Sequence, residues 1–465
     1  MDYKQATNLT QIDNNLNERV VLDRDHLFFV PELEESKIIS DFKQKFLQTI
    51  GYSNTGFTPL ENTQVYIFGF RGVGKTTVFK NLALDINLKK NYLTIYCDLF
   101  DSKEVDLNNL DFVDLSLFQL KALLSFLSEN LWQEKKFLDI IKTSHFPSKL
   151  QSLYEYSKEV EVEISHSSEK KAEIGLATET SIENGVNIPL LPSIKILGKL
   201  LASLSLNKTT AKTIREKINL SMIEYLAKYN DLILEIEEVV KKAKFGETIL
   251  FLVDGVEKIP RESNARQLFV ENKQLFEKLE VGVYIYALPI PLRRERGNVN
   301  FTNNRMLNFP FYRVTDNNIF GMFKQVVEKR INLDLFEESS LDKCVEYSGG
   351  SIRQMFQIIR YAVSYTAKDV ITTDAVNKSI TFLSNLKYDM MNDKMYGKLE
   401  LVVKKMYNKI DERQRPITIT DDTCLQAMLE DQILFDYNDG TKYEPNPLLK
   451  VNEYYKIMKE QILKM

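Results

Sequence analysis

The sequence predicts an α/β protein: a P-loop parallel sheet flanked by helices, followed by an α-helical lid and a C-terminal winged-helix domain. Three observations predict it. Gly69-Phe70-Arg71-Gly72-Val73-Gly74-Lys75-Thr76-Thr77 matches the pattern GxxxxGK(S/T) and sits between an apolar, β-branched run, Gln64 to Phe68, and a helical pattern from Thr76 to Leu84. Farther on, Thr248 to Val253 is a second apolar run that ends in Asp254. Past residue 310 the pattern turns helical, and a hairpin signal at Asn438-Asp439-Gly440 follows the last of these helices.

A chain of 465 residues exceeds one ordinary domain, and about three is the expectation. The divisions read as a lead-in at 1–62, a core at 63–310 with an insertion at about 155–212, a helical block at 311–395 and the winged helix at 396–465. A net charge of -4, with 27% charged residues, calls for no nucleic-acid or anionic membrane partner. Cys97, Cys344 and Cys424 stand far apart, which speaks against a disulfide framework and for a reducing cytoplasm. His26, His145 and His166 have no ligand spacing for zinc. The N-terminal residues lack the apolar core of a signal peptide, and the most apolar long run, Ile188 to Leu206, is broken by prolines and lysines. The expectation is a cytoplasmic protein without a transmembrane segment.

Within the lead-in, Ile38, Ile39, Phe42, Phe46 and Ile50 recur at helical spacing and predict one amphipathic helix over Glu35 to Gly51. Next comes the P-loop. Gly69, Gly72 and Gly74 let the backbone wrap an anion with its N–H groups inward, and the following helix adds its positive end. Lys75 is expected on the β- and γ-phosphates, and Thr76 places its hydroxyl on Mg²⁺. Arg71, Val73 and Thr77 complete the nucleotide-binding stretch. Tyr92 to Asp98 reads as the next parallel strand, so the unit opens as β-α-β.

From Leu110 to Tyr154 the pattern is helical and apolar. Between Glu155 and Lys212 neither a helix nor a strand period is clean, which suggests an insertion such as a hairpin or mobile arm. Its apolar tail, Ile194 to Leu206, reads as packing of that element, as a partner surface or as a peripheral membrane contact. Thr213 to Lys244 predicts one long helix with a charged outer face.

The strand at Thr248 delivers Asp254 to its C-terminal edge beside the P-loop, where a carboxylate organises Mg²⁺. Glu257, three residues on, is the choice for polarising an attacking water, and otherwise reads as a solvated helix-start acid. A helix at Ser263 to Leu279 leads to a further strand, Val281 to Leu288. Arg293, Arg294 and Arg296 then read as phosphate sensor, as arginine finger to a neighbouring subunit, or as a basic turn.

Helices are expected near 316–330, 338–347, 351–367 and 373–394. Ser348-Gly349-Gly350-Ser351-Ile352-Arg353 is a glycine turn opening a helix with arginine in its first turn. There the helix dipole opposes a cation, a reason for Arg353 to face an anion. Beyond Leu401 come helix, strand at Pro416 to Thr420, helix at Asp421 to Glu430 and hairpin, the order of a winged helix. Residues 401–465 are slightly more acidic than basic, contrary to what phosphate binding needs. This module is expected to contact protein, its own chain or a partner's.

With these residues in place, the order of parts from 35 to 465, less the insertion, resembles the AAA+ and STAND classes of P-loop ATPases. It is closest to their origin-recognition-like branch. The resemblance implies an ATPase: Lys75 and Thr76 match the Walker A lysine and hydroxyl, Asp254 the Walker B aspartate and Arg353 the sensor-2 arginine of a helical lid. Asp254-Gly255-Val256-Glu257-Lys258 looks like the Walker B of NACHT proteins, within STAND. Glycine holds the usual catalytic-glutamate position, which leaves Glu257 and implies slow hydrolysis. Tyr286-Ala287-Leu288 lacks the sensor-1 Asn or Thr. The layout also looks like stand-alone ATPases of bacterial anti-phage defence systems. The reading is an ATP–Mg²⁺ switch that oligomerises or controls a separate effector, with two alternatives: a DNA-associated loader or transposition or replication regulator, and a non-hydrolysing scaffold.

Overall fold

The computed structural model describes the chain apart from residues 1–3, 18–21, 61, 101, 103, 168–181, 184–185, 188, 207, 260–264, 298–304, 368, 410–422 and 438–442. Its centre is a five-stranded, all-parallel sheet: β1 (Thr63–Gly69), β2 (Tyr92–Asp98), β3 (Thr248–Asp254), β4 (Val283–Pro289) and β5 (Arg305–Asn308), in spatial order β2-β3-β4-β1-β5. β1, β3 and β4 are buried along their whole length, as strands covered on both faces must be. β4 lies between β1 and β3, so Asp254 and the P-loop come together above the carboxyl edge of the sheet rather than on adjacent strands.

Alternate strand residues feed two cores. Val65, Ile67, Leu250, Leu252, Ile285 and Ala287 face a layer formed by the P-loop helix Lys75–Lys89, the N-terminal helix Lys37–Thr49, the helical block after residue 316 and the C-terminal module. Tyr66, Phe68, Ile95, Phe251, Val253 and Tyr286 face a second layer, built from helices between β2 and β3. That second layer corrects the reading of the insertion. Phe146–Ser167, Leu190–Leu206 and Lys208–Leu220 are helices, with Ile182–Glu183 paired antiparallel to Val186–Asn187. The apolar tail is neither partner surface nor membrane contact. Leu197, Leu200, Leu201 and Leu204 are buried against the neighbouring helices, and Ile196 is buried too, while Lys195 and Lys199 stay outside. Among the described residues no helix is long and apolar enough to cross a membrane.

The expected single helix from Thr213 is two, Lys208–Leu220 and Met222–Ala243, broken at Ser221. The Ser221 hydroxyl hydrogen-bonds Lys217 O at 3.2 Å and shares a bond of 2.8 Å with the Tyr156 hydroxyl, back-bonding of the kind that bends a helix. In the described part of the span expected as one helix, Ser263 to Leu279, the structure has a π-turn, Gln267–Glu271, and a single α-turn, Lys273–Phe276.

The helical block consists of Asn317–Glu328, Ser340–Ser348, Ile352–Ser364 and Thr373–Asp389, close to the expected spans. In the C-terminal module, helices Asp393–Met406, Thr423–Glu430 and Glu453–Lys464 flank an antiparallel pair, Leu434–Asp436 with Tyr443–Pro445. The strand expected at Pro416 to Thr420 and the tip at Asn438 to Gly440 lie outside the described residues. The lead-in is tied to the block: Ala6 bridges Ile331, and Asn15 Nδ2 donates to Arg330 O at 2.8 Å.

Candidate functional site

At the carboxyl edge of β1 the chain turns through two left-handed glycines, Gly72 (φ 77°) and Gly74 (φ 85°), and enters the helix at Lys75. Gly72 must be glycine for a second reason. A Cβ there would lie 2.5 Å from Arg353 Cβ and 3.2 Å from Ser351 Oγ, because the lid helix Ile352–Ser364 starts against the loop. Arg353 N donates to Gly72 O at 3.3 Å. Val73 is buried, and Gly69 closes β1 beside Phe309 and the Lys75 stem.

Lys75 is buried, with Nζ donating to Phe70 O (2.6 Å) and Gly69 O (3.3 Å) and standing 3.6 Å from Glu257 Oε1. Burial lowers its pKa, a shift opposed by the Glu257 and Asp254 carboxylates. Gly255, at φ 92°, turns the chain after β3 so that the 3₁₀ turn Val256–Lys258 carries Glu257 back to Lys75. Glu257 is 3% exposed, which removes the alternative of a solvated helix-start acid.

Asp254 is fully buried, and the Tyr96 hydroxyl donates to its Oδ2 at 3.1 Å. Burial, and then the charge of Glu257, push its carboxyl up to about 6, while the Thr76 hydroxyl pulls the other way. Asp254 Oδ1 and Glu257 Oε2 are buried without a hydrogen-bond partner. Buried carboxylate oxygens left in that condition are costly unless something supplies charge or donors.

Arg71 does not point along the loop's inner face. Its Nε donates to Glu257 O (2.7 Å) and its Nη2 to Ile259 O (3.0 Å), so it ties the P-loop to the turn after β3. Burial lowers its pKa, and the nearby Arg353 charge adds to that. The same charge depresses Lys75. Lys75 and Arg353, two cations that disfavour each other beside a glycine cradle, match a polyanion.

Beside the loop lies a cavity of about 140 Å³. Gly72, Gly74, Thr77, Ile352 and Arg353 form its P-loop side; Phe28, Val30, Tyr312 and Phe356 are among its other walls. Nothing in the lead-in's sequence announced these walls, since residues 22–34 carry no period. Tyr96 was likewise missed, although its place two residues before the end of β2 puts it beside Asp254. Arg293 forms an ion pair at 3.4 Å with Asp436 of the C-terminal hairpin. The side chains of Arg294 and Arg296 lie outside the described ones.

The C-terminal module reaches the same loop. Gln432 Nε2 donates to Arg71 O at 2.8 Å, and Phe435 packs against Phe70 and Phe311. Tyr437 Oη donates to Gly349 O at 2.6 Å, and the amides of Asn446 and Gln354 exchange hydrogen bonds of 2.8 and 3.0 Å. The module thus contacts its own chain, at the P-loop and the lid.

The residues present fit a nucleoside triphosphate with Mg²⁺. The cradle and cations suit phosphates, Thr76 and Asp254 offer hard oxygen ligands, and the adjoining cavity suits a flat ring.

No protein-family model matches the chain, and no curated protein matches it. Among solved structures it is similar to the Aeropyrum pernix ORC2 protein in its ADPNP–ADP complexes, at 12% identity over 97% of this chain and 98% of that one, TM-score 0.35. It is also similar to the A. pernix ORC1 protein in complex with DNA (9%, 94% and 95%, TM-score 0.35). Cdc6p from Pyrobaculum aerophilum gives 11%, 97% and 98%, and a TM-score of 0.33. At scores this low the likeness carries no weight for function.

Proposed function

We propose that the chain is an ATP-binding molecular switch of the AAA+/STAND type, hydrolysing slowly, whose lid and C-terminal module convey nucleotide state to further copies or to a separate effector. One observation carries the reading: lid and C-terminal module each hydrogen-bond a P-loop carbonyl, Arg353 N to Gly72 O and Gln432 Nε2 to Arg71 O. A loop that closes on phosphates shifts both acceptors. Anti-phage defence is the setting in which this layout would serve, with the effector outside the chain.

In this reading Lys75 exchanges the Gly69 and Phe70 carbonyls for phosphate oxygens, and the positive charge of Arg353 faces the terminal phosphate. Thr76 and Asp254 would hold Mg²⁺, which would neutralise phosphate charge there. Glu257 Oε2 accepts the proton of the water that attacks the γ-phosphorus, and ADP leaves with the bridging oxygen. Glu257 stands three residues beyond Asp254, on a 3₁₀ turn and engaged by Lys75, which supports slow rather than rapid turnover.

Titration calorimetry with ATP and Mg²⁺ tests the site. Lys75→Ala is expected to weaken binding about 100-fold, the loss of a buried charged contact. Unchanged affinity would overturn the assignment.

A further inference from the structure

Arg330, in the turn after the helix Asn317–Glu328, borders the cavity beside the P-loop that Gly72 and Gly74 also line. It is 7% exposed. Its Nη1 donates to Phe28 O at 3.1 Å and to Val326 O at 2.7 Å. Its guanidinium carbon lies 5.1 Å from the centre of the Phe28 ring and 5.3 Å from that of Phe356. Among the described residues it makes no ion pair, and its Nε and Nη2 have no hydrogen-bond partner. Glu34 borders the same cavity but is held by Arg24, Lys43 and Asn81.

A buried guanidinium without a carboxylate is costly unless a ligand completes its donors. Burial lowers the Arg330 pKa to about 10, the direction expected of a cation that lacks a counter-charge. The missing partner has to be an acceptor in the plane of the guanidinium, since its hydrogen-bond donors all lie in that plane. It also has to fit about 140 Å³ between aromatic and aliphatic walls. A nucleobase meets both conditions, and a cavity of about this size is known to take a benzene ring.

We infer that Arg330 reads the base of the bound nucleotide, donating its remaining N–H edge to N7 of a purine ring seated in the cavity that Arg330, Phe28 and Phe356 line. N7 is the acceptor that adenine and guanine share on the edge remote from the sugar, and it is the ring nitrogen that arginine pairs with in duplex DNA. Guanine N1 carries a proton, and N3 lies on the sugar side. Pyrimidines have no equivalent atom, so the residue selects purines. Arg330 also fixes the wall it works from. By gripping Phe28 O it holds the lead-in against the lid, across 302 residues of chain.

This inference rests on the nucleotide site proposed above, and the test separates the two. Calorimetric titration of the full chain compares ATP, 7-deaza-ATP, 1-deaza-ATP and CTP, each with Mg²⁺. 7-Deaza-ATP and CTP are expected to bind about ten-fold or more weakly than ATP, the loss of one hydrogen bond from a charged donor. 1-Deaza-ATP is expected to match ATP. In Arg330→Met the difference between ATP and 7-deaza-ATP is expected to vanish, with a melting curve to confirm a folded variant. The wild-type series alone decides if that variant does not fold. Equal affinity for ATP and 7-deaza-ATP, or the same loss with 1-deaza-ATP, overturns the role of Arg330 and leaves the triphosphate site standing. Failure of ATP itself to bind overturns both.

Discussion

At the scale of single residues, Glu257 and Asp254 share a buried pocket in which each leaves one carboxylate oxygen unpartnered. Asp254 is pinned by Tyr96, whereas Glu257 is held by a cation at 3.6 Å, a contact that phosphate can compete for. Their roles therefore separate. Glu257→Gln keeps the shape of the side chain and removes its capacity to take a proton. ATP affinity is expected to stay within a few-fold while phosphate release slows about 100-fold, the usual contribution of a general base. Turnover at the wild-type rate would show that Glu257 is structural. These two acids were legible in the sequence because their spacing is local: an apolar strand ends at 254, and a left-handed Gly255 folds residue 257 back. Arg71 was legible as part of the motif, but its partners were not. Its hydrogen bonds to Glu257 O and Ile259 O span more than 180 residues.

At the scale of elements, the joint between lid and core is a glycine pair. Gly350, at φ 98°, leaves no room for a side chain: a Cβ would stand 2.0 Å from Tyr312 O and 3.2 Å from Phe311 Cε1. A Cβ at Gly349 would stand 2.6 Å from Phe435 and 2.8 Å from Pro447 of the C-terminal module. Gly350→Ala is expected to destabilise the protein by about 2–3 kcal/mol through backbone strain and displacement of Tyr312. A melting temperature within a degree of wild type would contradict that. The glycine turn and the helices around it could be read from sequence, since their apolar residues keep a 3.6-residue period. The helical layer between β2 and β3 could not. Leu190–Leu206 packs against neighbouring helices on most of its circumference and keeps only a narrow exposed strip with Lys195 and Lys199, and a helix buried that widely shows no clean stripe. β5 escaped because four residues, Arg305 to Asn308, with partly exposed side chains carry too little pattern.

At the scale of the molecule, the lead-in joins the P-loop helix through charge. Arg24 bridges Glu34 (2.8 Å) and Asp85 on the P-loop helix (2.6 Å), and Lys43 also pairs with Glu34. The hydrogen bond from Arg24 holds the Asp85 carboxyl below its usual range. Burial would raise Glu34, but Arg24 and Lys43 outweigh it and the net shift is downward. Carboxyls lowered in the folded state contribute stability that is complete above their unfolded pKa, about 4, and is lost as pH falls through the lower folded values. The melting temperature is therefore expected to fall between about pH 4 and pH 2, and Arg24→Met is expected to make that fall shallower. An unchanged acid profile in the variant would remove the network from the account.

One core runs from the P-loop helix through the lid into the C-terminal module, with Phe70, Phe311 and Phe435 in mutual contact. In the switch proposed above, this continuity carries a change at the loop to the surface of the molecule. Amide hydrogen exchange with and without ATP and Mg²⁺ tests this most directly. The account predicts altered protection at three separate stretches together: the loop at 71–77, the lid start at 351–356 and the C-terminal contact at 432–437. Changes confined to 71–77, with the other two unaltered at saturating nucleotide, would contradict the switch.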